Sequence, residues 1–196
     1  MRPNRILSFD PGKSPKSFAY SFMVGGTVMR YGLVRPIDSL EPARYGPESQ
    51  EFFSRIKSLA LETSPDVVVA ERFQDRGGAS KGTTGEHINL MLGLMSAALW
   101  PIGLELVQPA TWKAWLMRHY SIGKPTKKRA PMLPNMWMFL RQRFPYCWKT
   151  SIQNRIVIHE ADACAIALWR YETADMVQRY GSIDCLLDRS TVKRAI

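Results

Sequence analysis

The sequence predicts an α/β fold in which a five-stranded mixed sheet is flanked by helices, and three observations lead to this prediction. Short segments rich in apolar, aromatic and β-branched residues open the chain at residues 5–10, 18–24 and 28–34, as in an antiparallel meander. Apolar residues recur at helical spacing over residues 48–62. The run "DVVVAE" at residues 66–71 is then apolar on both faces, which is typical of a buried parallel strand.

Turn residues separate these first elements. Gly25 and Gly26 lie between the second and third segments and predict a hairpin turn. Ser64 and Pro65 end the first helix, because proline cannot continue it. The order of strand, helix and parallel strand predicts a crossover unit.

The second half of the chain supplies the remaining elements. Residues 87–100 are strongly apolar and predict a helix, and "LELVQP" predicts a fifth short strand. A helix capped by Thr111 is predicted over residues 111–117. The small-residue-rich stretch "HEADACAIALWRY", residues 159–171, predicts the last helix, and a polar helical tail is expected from about residue 172 to 196.

The length and net charge of the chain limit the class of protein to which it can belong. A chain of 196 residues suits a single domain, here residues 1–196. Its 27 Lys and Arg against 17 Asp and Glu give a formal charge of +10, which points to a polyanion such as nucleic acid. A solvated basic surface or attraction to anionic lipid are the alternatives. No signal-peptide core and no run of roughly 18 apolar residues is present, so we expect no membrane attachment and a cytoplasmic location.

Cysteine and histidine spacing argues against two kinds of structural site. Cys147, Cys164 and Cys185 are odd in number, far apart and in no CxxC pair, which disfavours a disulfide framework and a zinc ribbon. The three histidines form no metal-binding pair of close spacing. Reduced thiols are the expectation.

Two acids stand where predicted strands end. Asp10 closes the first strand and is followed by Pro11 and Gly12, which turn the chain away so that another backbone can approach. Glu71 closes the parallel strand in the same manner. The two carboxylates are therefore expected side by side at one edge of the sheet.

Two further candidates lie in the last predicted helix. His159 and Asp162 are three residues apart and share a helical face, whereas Glu160 is about 200° around the helix from Asp162. If that face meets the sheet edge, Asp10, Glu71, His159 and Asp162 converge.

Each of these residues also has an ordinary structural interpretation. Asp10 could cap a turn, Glu71 could pair with Arg72 or Arg76, and His159 with Asp162 could be a polar helix start. Convergence would weaken these interpretations, because neighbouring carboxylates raise one another's pKa unless cations neutralise them. Carboxylate oxygens suit Mg²⁺ or Mn²⁺, and imidazole also suits Mn²⁺.

Four stretches of the chain carry a family resemblance. The stretches "FDPG", "PDVVVAERF", "INLMLGLMSAAL" leading to "LELVQPATWKAWL", and "HEADACAIAL" resemble, in order and spacing, the RuvC-type Holliday junction resolvases. The resemblance covers roughly residues 5–34, 65–118 and 156–169. It implies an RNase H-like fold and a nuclease activity. A phage member of the family would fit the resemblance as well.

The resemblance implies a metal site of four residues. By position, the family's metal-site residues fall on Asp10, Glu71, His159 and Asp162. The family often has Asp where His159 stands, and His is an accepted variant there, which leaves Glu160 as second choice. Two Mg²⁺ or Mn²⁺ ions per site would clamp a scissile phosphate for phosphodiester hydrolysis.

The resemblance also implies DNA-binding positions. Two substrate-binding lysines fall on Lys113 and Lys127, with Lys128 as an adjacent alternative. A basic loop can hold strand phosphates, although a solvated loop is the alternative. The family also has an aromatic residue that stacks on bases in the loop after the second acid. Phe73 stands one residue earlier than this position, and Gln74 occupies the position itself.

The predicted function is that of a crossover junction endodeoxyribonuclease acting on four-way junctions in DNA recombination and repair. A homodimer is expected, since two matched cuts need two symmetric sites. Three alternatives stand beside it: a broader nuclease for forks, flaps and other branched DNA, a non-cutting junction-binding protein, and an actin-like ATPase, which needs more chain. The aromatic-rich residues 130–155 could form core, dimer interface or a base-stacking surface.

Overall fold

The computed structural model describes residues 3–12, 17–37, 41–72, 83–120, 139–140, 142–143 and 158–174. Its elements, in chain order, are β1 (Arg5–Asp10), β2 (Ala19–Val24), β3 (Thr27–Leu33), α1 (Pro42–Thr63), β4 (Val67–Glu71), α2 (Thr83–Ala98), β5 (Glu105–Val107), α3 (Pro109–His119) and α4 (Ile158–Glu172).

The five strands form one sheet in the order β3-β2-β1-β4-β5. β1 pairs antiparallel with β2, and β2 with β3, which confirms the predicted meander. β1 pairs parallel with β4, and β4 with β5, which confirms the buried parallel strand. The predicted α/β fold with a five-stranded mixed sheet is therefore confirmed.

The starts of three helices differ from the sequence prediction. α3 begins at Pro109 rather than Thr111, so the predicted Thr111 cap is wrong. Proline suits the first helical turn, since its missing N–H would have no partner there and its φ is already helical. α1 begins at Pro42, six residues before the predicted start, and includes Pro47. α2 begins at Thr83, four residues before the predicted start.

The predicted turns are present. Gly25 and Gly26 have φ values of 55° and 80°, the left-handed backbone that a tight hairpin between β2 and β3 requires. α1 ends at Thr63, and the next residue, Ser64, caps it with a positive φ of 41° and an N–H that donates to the Ala60 carbonyl at 2.8 Å.

The two faces of the sheet pack against different helices. Leu7 and Phe9 of β1 belong to a core cluster with residues of α1 and α2 such as Phe52 and Met91, and we call this side the α1/α2 face. Ile6 of β1 belongs to a second cluster with residues of α3 and α4, and we call this side the α3/α4 face. The strand's period of two thus sends adjacent residues to different layers.

Helix α4 lies close against the α3/α4 face. Its buried side chains include four alanines, at positions 161, 163, 165 and 167, whose small size lets the helix backbone approach the sheet. The buried Ser8 Oγ lies 2.7 Å from the Ala163 carbonyl oxygen, to which it donates, and 3.2 Å from that of Ser21. This bond fixes α4 against β1 near the carboxyl end of the strand.

The far end of α4 is held by an ion pair. Arg170 is 5% exposed, and its Nε and Nη2 donate to Glu105 Oε2 and Oε1 at 2.6 and 3.1 Å. Such a two-pronged contact between guanidinium and carboxylate is geometrically specific. It joins α4 to the edge strand β5, so the helix cannot slide along the sheet without breaking it.

Several sequence predictions lie outside the described residues. These are the basic loop with Lys127 and Lys128, Phe73, most of residues 130–155, and the tail beyond residue 174. Among the described helices, none has the length and apolarity to span a membrane.

Candidate active site

Asp10 and Glu71 are brought together by strand pairing. β1 and β4 are parallel neighbours, and Phe9 is paired with Ala70, so the next residue on each strand is the acid. Asp10 is 5% exposed and Glu71 is half-buried. The structure therefore places both carboxylates at the carboxyl edge of the sheet, side by side.

The turn after Asp10 explains the glycine in "DPG". A Cβ on Gly12 would collide with the backbone carbonyl and the side chain of Ser17. Another part of the backbone therefore passes close to Gly12, as the sequence predicts, and any larger residue would push the turn away from β1.

Helix α4 adds His159 and Asp162 to the same place. His159 Nδ1 lies 2.6 Å from Asp10 Oδ2. Asp162 Oδ2 lies 3.3 Å from Lys113 Nζ, which in turn lies 3.7 Å from Glu71 Oε2. The structure thus brings all four predicted residues into one cluster, which we call the acid cluster, while their catalytic and metal-binding roles stay predictions.

Helix α3 places two residues in contact with the acid cluster. Lys113 lies between the carboxylates of Glu71 and Asp162, rather than on a separate basic surface. Trp112 donates its indole N–H to Glu71 Oε2 at 2.8 Å, and Lys113 Nζ lies 4.6 Å from the centroid of its ring. Sequence reasoning missed Trp112: "TWKAW" places it beside Lys113, but nothing local shows that it reaches an acid 41 residues earlier.

Burial and mutual repulsion perturb the pKa values of this cluster. Desolvation raises the pKa of Glu71 to about 7, Lys113 opposes the shift, and the charges of Asp10 and Asp162 add to it. Desolvation likewise raises the pKa of Asp162 to about 6, again opposed by Lys113 and assisted by Asp10. The hydrogen bond to Asp10 raises the pKa of His159 against an opposing effect of burial. Glu71 and Asp162 therefore hold protons at a higher pH than ordinary carboxyl groups, first because burial disfavours their charged forms and second because the neighbouring carboxylates repel them.

The acid cluster fits a divalent cation by its chemistry and its charge. Three carboxylates and an imidazole are ligands that Mg²⁺ and Mn²⁺ accept, and a cation would replace the protons that the raised pKa values retain. In the arrangement seen, no three His, Cys, Asp or Glu side chains of the described residues form a group that could hold an ion. The Lys113 ammonium is the cation that Glu71 and Asp162 share instead.

Glu160 is the second-choice ligand from the sequence. It is half-buried in the first turn of α4, between His159 and Ala161. The hydrogen bond from His159 to Asp10 is the observation that favours His159, and the choice between the two stays a prediction.

Comparisons with known proteins agree with the fold. The sequence matches no protein-family profile and no curated protein. Among solved structures, Thermus thermophilus RuvC in complex with a Holliday junction substrate superposes with a TM-score of 0.60 at 19% identity, covering 88% of this chain and 96% of that one. A second structure of Thermus thermophilus RuvC gives 0.61 at 18% identity over the same shares of both chains.

A eukaryotic resolvase matches as well. The yeast mitochondrial Holliday junction resolvase Ydc2 superposes with a TM-score of 0.58 at 16% identity, covering 92% of this chain and 83% of that one. In both proteins the similarity spans most of the chain rather than a single motif. The resemblance seen in the sequence is thereby confirmed in three dimensions: this chain has the RNase H-like fold of the RuvC-type Holliday junction resolvases.

Proposed function

We propose that the chain is a metal-dependent endonuclease that resolves Holliday junctions by paired phosphodiester hydrolysis. The observation that carries this proposal is the acid cluster itself. Asp10, Glu71, His159 and Asp162 come from two strands and a helix and meet at one sheet edge. A structural neighbour with the same fold is solved with a Holliday junction substrate, which supports the substrate class.

Asp10, Glu71, Asp162 and His159 would hold the cations, two Mg²⁺ or Mn²⁺ per site. When bound, such ions polarise the phosphate and lower the pKa of a coordinated water. Asp10 would be one of these ligands; it is the most buried of the three carboxylates, and its Oδ2 lies 2.6 Å from His159 Nδ1. Glu71 and Asp162 then stand on either side of Lys113.

His159 is oriented by its contact with Asp10. Since Nδ1 faces the Asp10 carboxylate, Nε2 is the nitrogen left to bind an ion or to orient a water molecule. In the cation-free protein the pair is favoured by a proton on His159, whose pKa is raised. A cation held by Asp10 would compete with that proton.

Lys113 has a second role in this proposal. Without a cation, its ammonium partly neutralises Glu71 and Asp162. If cations took over this neutralisation, the ammonium would be free to bind a phosphate of the DNA strand, which is the role that the family resemblance implies for Lys113. Lys127, Lys128 and Phe73, outside the described residues, stay predicted DNA contacts, and the charge of +10 supports a polyanionic substrate.

The proposed reaction has a consequence for the assembly. Two matched cuts in a four-way junction require two active sites related by symmetry, so we expect a homodimer. We also expect one domain over residues 1–196 and a cytoplasmic protein of a bacterial or phage-infected cell, in DNA recombination and repair.

A second function has one observation in its favour. Lys113 occupies the space between two of the acids, and no three-ligand group exists among the described residues. A junction-binding protein that does not cut would look like this.

Mapping of cleavage products separates these functions. Labelled four-way junction, fork, flap and duplex DNA would be incubated with the protein in Mg²⁺, Mn²⁺ or EDTA. We expect symmetric cuts in the junction with either metal and none in EDTA. Equal cutting of forks and flaps would indicate a broader branched-DNA nuclease, and junction binding without cuts would indicate the non-cutting protein.

Two variants of α4 complete this experiment. His159→Ala should lower cleavage strongly, because it removes a group in contact with Asp10. Glu160→Ala is the matched control one residue along and should have a much smaller effect. An inactive Glu160→Ala beside an active His159→Ala would make Glu160 the fourth ligand.

A further inference from the structure

The indole of Trp112 is anchored in the core and reaches the acid cluster. The residue is 0% exposed and belongs to the α3/α4 core cluster together with Val69, Val107 and Leu116. Its N–H donates to Glu71 Oε2 at 2.8 Å. The donor therefore has little freedom to move, since its ring is packed on all sides.

Both contacts of α3 with Glu71 reach the same oxygen. Lys113 Nζ lies 3.7 Å from Oε2, the atom to which Trp112 also donates. A glutamate side chain rotates about three bonds, so a fixed donor to one oxygen restricts the directions in which the other oxygen can point.

We propose that Trp112 is a positioning residue that holds Oε2 of Glu71 and turns Oε1 toward the cation site. This inference rests on the proposed function and names a device within that site. The Trp112 ring also packs against the Lys113 ammonium, whose Nζ lies 4.6 Å from the ring centroid. One rigid group thus orients both the acid and the lysine that competes with the cation.

The alternative is a purely structural bond. A buried indole N–H needs an acceptor, and Glu71 would then serve Trp112 rather than the reverse. The two interpretations differ in what the loss of the N–H does to cation binding, beyond what it does to stability.

A pair of matched variants tests the proposal. Trp112→Phe removes the N–H and keeps an aromatic ring, and Trp169→Phe makes the same exchange at a Trp of α4 that is 1% exposed. Mn²⁺ binding would be measured by calorimetry without DNA, and cleavage by single-turnover kinetics. We expect Trp112→Phe to weaken Mn²⁺ binding and slow cleavage about 10-fold or more, the scale for partners of metal ligands, with junction binding in EDTA unchanged. Equal effects of the two variants would overturn the proposal.

A second measurement keeps Trp112 in place, in case Trp112→Phe does not fold. The chain has six Trp, so the indole N–H resonances of the ¹⁵N-labelled protein are few. One of them should shift when Mg²⁺ is added and should be displaced in Glu71→Gln. If no indole resonance responds to either change, Trp112 does not position Glu71.

Failure of this inference is distinguishable from failure of the proposed function. A wild-type protein that binds no Mn²⁺ and cuts no branched DNA contradicts both. A wild-type protein that does both, while Trp112→Phe behaves as Trp169→Phe, contradicts only the positioning role.

Discussion

The two faces of the sheet differ in what they contain, although the same strands supply both. On the α1/α2 face, Phe9, Phe18 and Phe52 form a chain of edge-to-face contacts, with ring centroids 6.1 and 5.3 Å apart. On the α3/α4 face, β1 contributes Ile6, then Ser8, then Asp10, which become more polar toward the carboxyl end of the strand.

This difference separates stability from chemistry within a single strand. Phe9 and Asp10 are adjacent in sequence, yet one is core on the α1/α2 face and the other joins the acid cluster. Buried carboxylates cost folding free energy, and the apolar face offsets that cost. Substitutions on the α1/α2 face should therefore mainly lower the free energy of unfolding, and substitutions in the acid cluster should mainly lower cleavage. Experiments can test this difference.

The largest expected effect is on the α1/α2 face. Phe52→Ala removes a ring that is 1% exposed and in contact with Phe18, and should lower the free energy of unfolding by about 3–5 kcal/mol. Cleavage per folded molecule should stay near the wild-type value. Urea unfolding and single-turnover cleavage measure the two quantities, and a specific loss of cleavage would show that the faces are not independent.

The next largest effect is a loss of cleavage, expected for a substitution on the α3/α4 face. Asp10→Asn keeps the shape of the side chain but removes the charge that pairs with His159 and that would hold the proposed cations, so cleavage should fall by at least about 10²-fold. Junction binding in EDTA should stay within about twofold, because the proposed function assigns DNA binding to basic residues rather than to Asp10. Near-normal cleavage by this variant would refute the acid cluster as the active site.

The acid cluster should also make stability depend on pH when cations are absent. Glu71 and Asp162 have pKa values of about 7 and about 6 in the folded protein, against ordinary values of 4.5 and 3.8, so the folded state retains protons that the unfolded chain releases. The free energy of unfolding should therefore fall as the pH rises from about 4 to about 7, by roughly 1–3 kcal/mol.

His159 acts in the same direction. Its raised pKa contributes stability that is complete below 6.5 and is lost as the pH rises through the raised value. Urea unfolding in EDTA across this range measures the slope, with Glu71→Gln as a control that should flatten it. Saturating Mg²⁺ should also flatten the slope, and a rise of stability over the same range would contradict the described electrostatics.

The smallest effect compares two paired serines. Ser8→Ala removes the bond to the Ala163 carbonyl and should cost about 1 kcal/mol, with a modest loss of cleavage as α4 shifts. Ser21 is its partner across the β1–β2 ladder, and its buried Oγ has no hydrogen-bond partner within the described part of the chain. Ser21→Ala should be neutral or stabilising, and equal losses in both would remove the role assigned to Ser8.

The fold and much of the site could be predicted from local sequence. Asp10 and Glu71 each follow an apolar run, and parallel pairing necessarily brings such strand ends together. The first residues of the helices were harder to predict. Pro109 and Thr111 both favour a helix N-terminus, and only the structure shows that α3 begins at Pro109.

The side-chain contacts of α3 could not be predicted from the local sequence. Lys113 was predicted to bind DNA, but its place between Glu71 and Asp162 depends on how α3 packs against the sheet. The bond from Trp112 to Glu71 depends on the same packing. Periodicity describes which face of a helix is buried, and it does not say which distant side chain that face meets.

The position of Asp10 on β1 has a consequence for how the protein opens. β1 is hydrogen-bonded to β2 along its full length and to β4 along most of it, so it lies in the middle of the sheet. Strands held on both sides exchange their amide hydrogens only in the largest unfolding events. Fraying of a surface helix would leave Asp10 in place. A cation bound there should therefore slow hydrogen exchange across the whole central sheet, since it stabilises the folded state relative to the globally unfolded one.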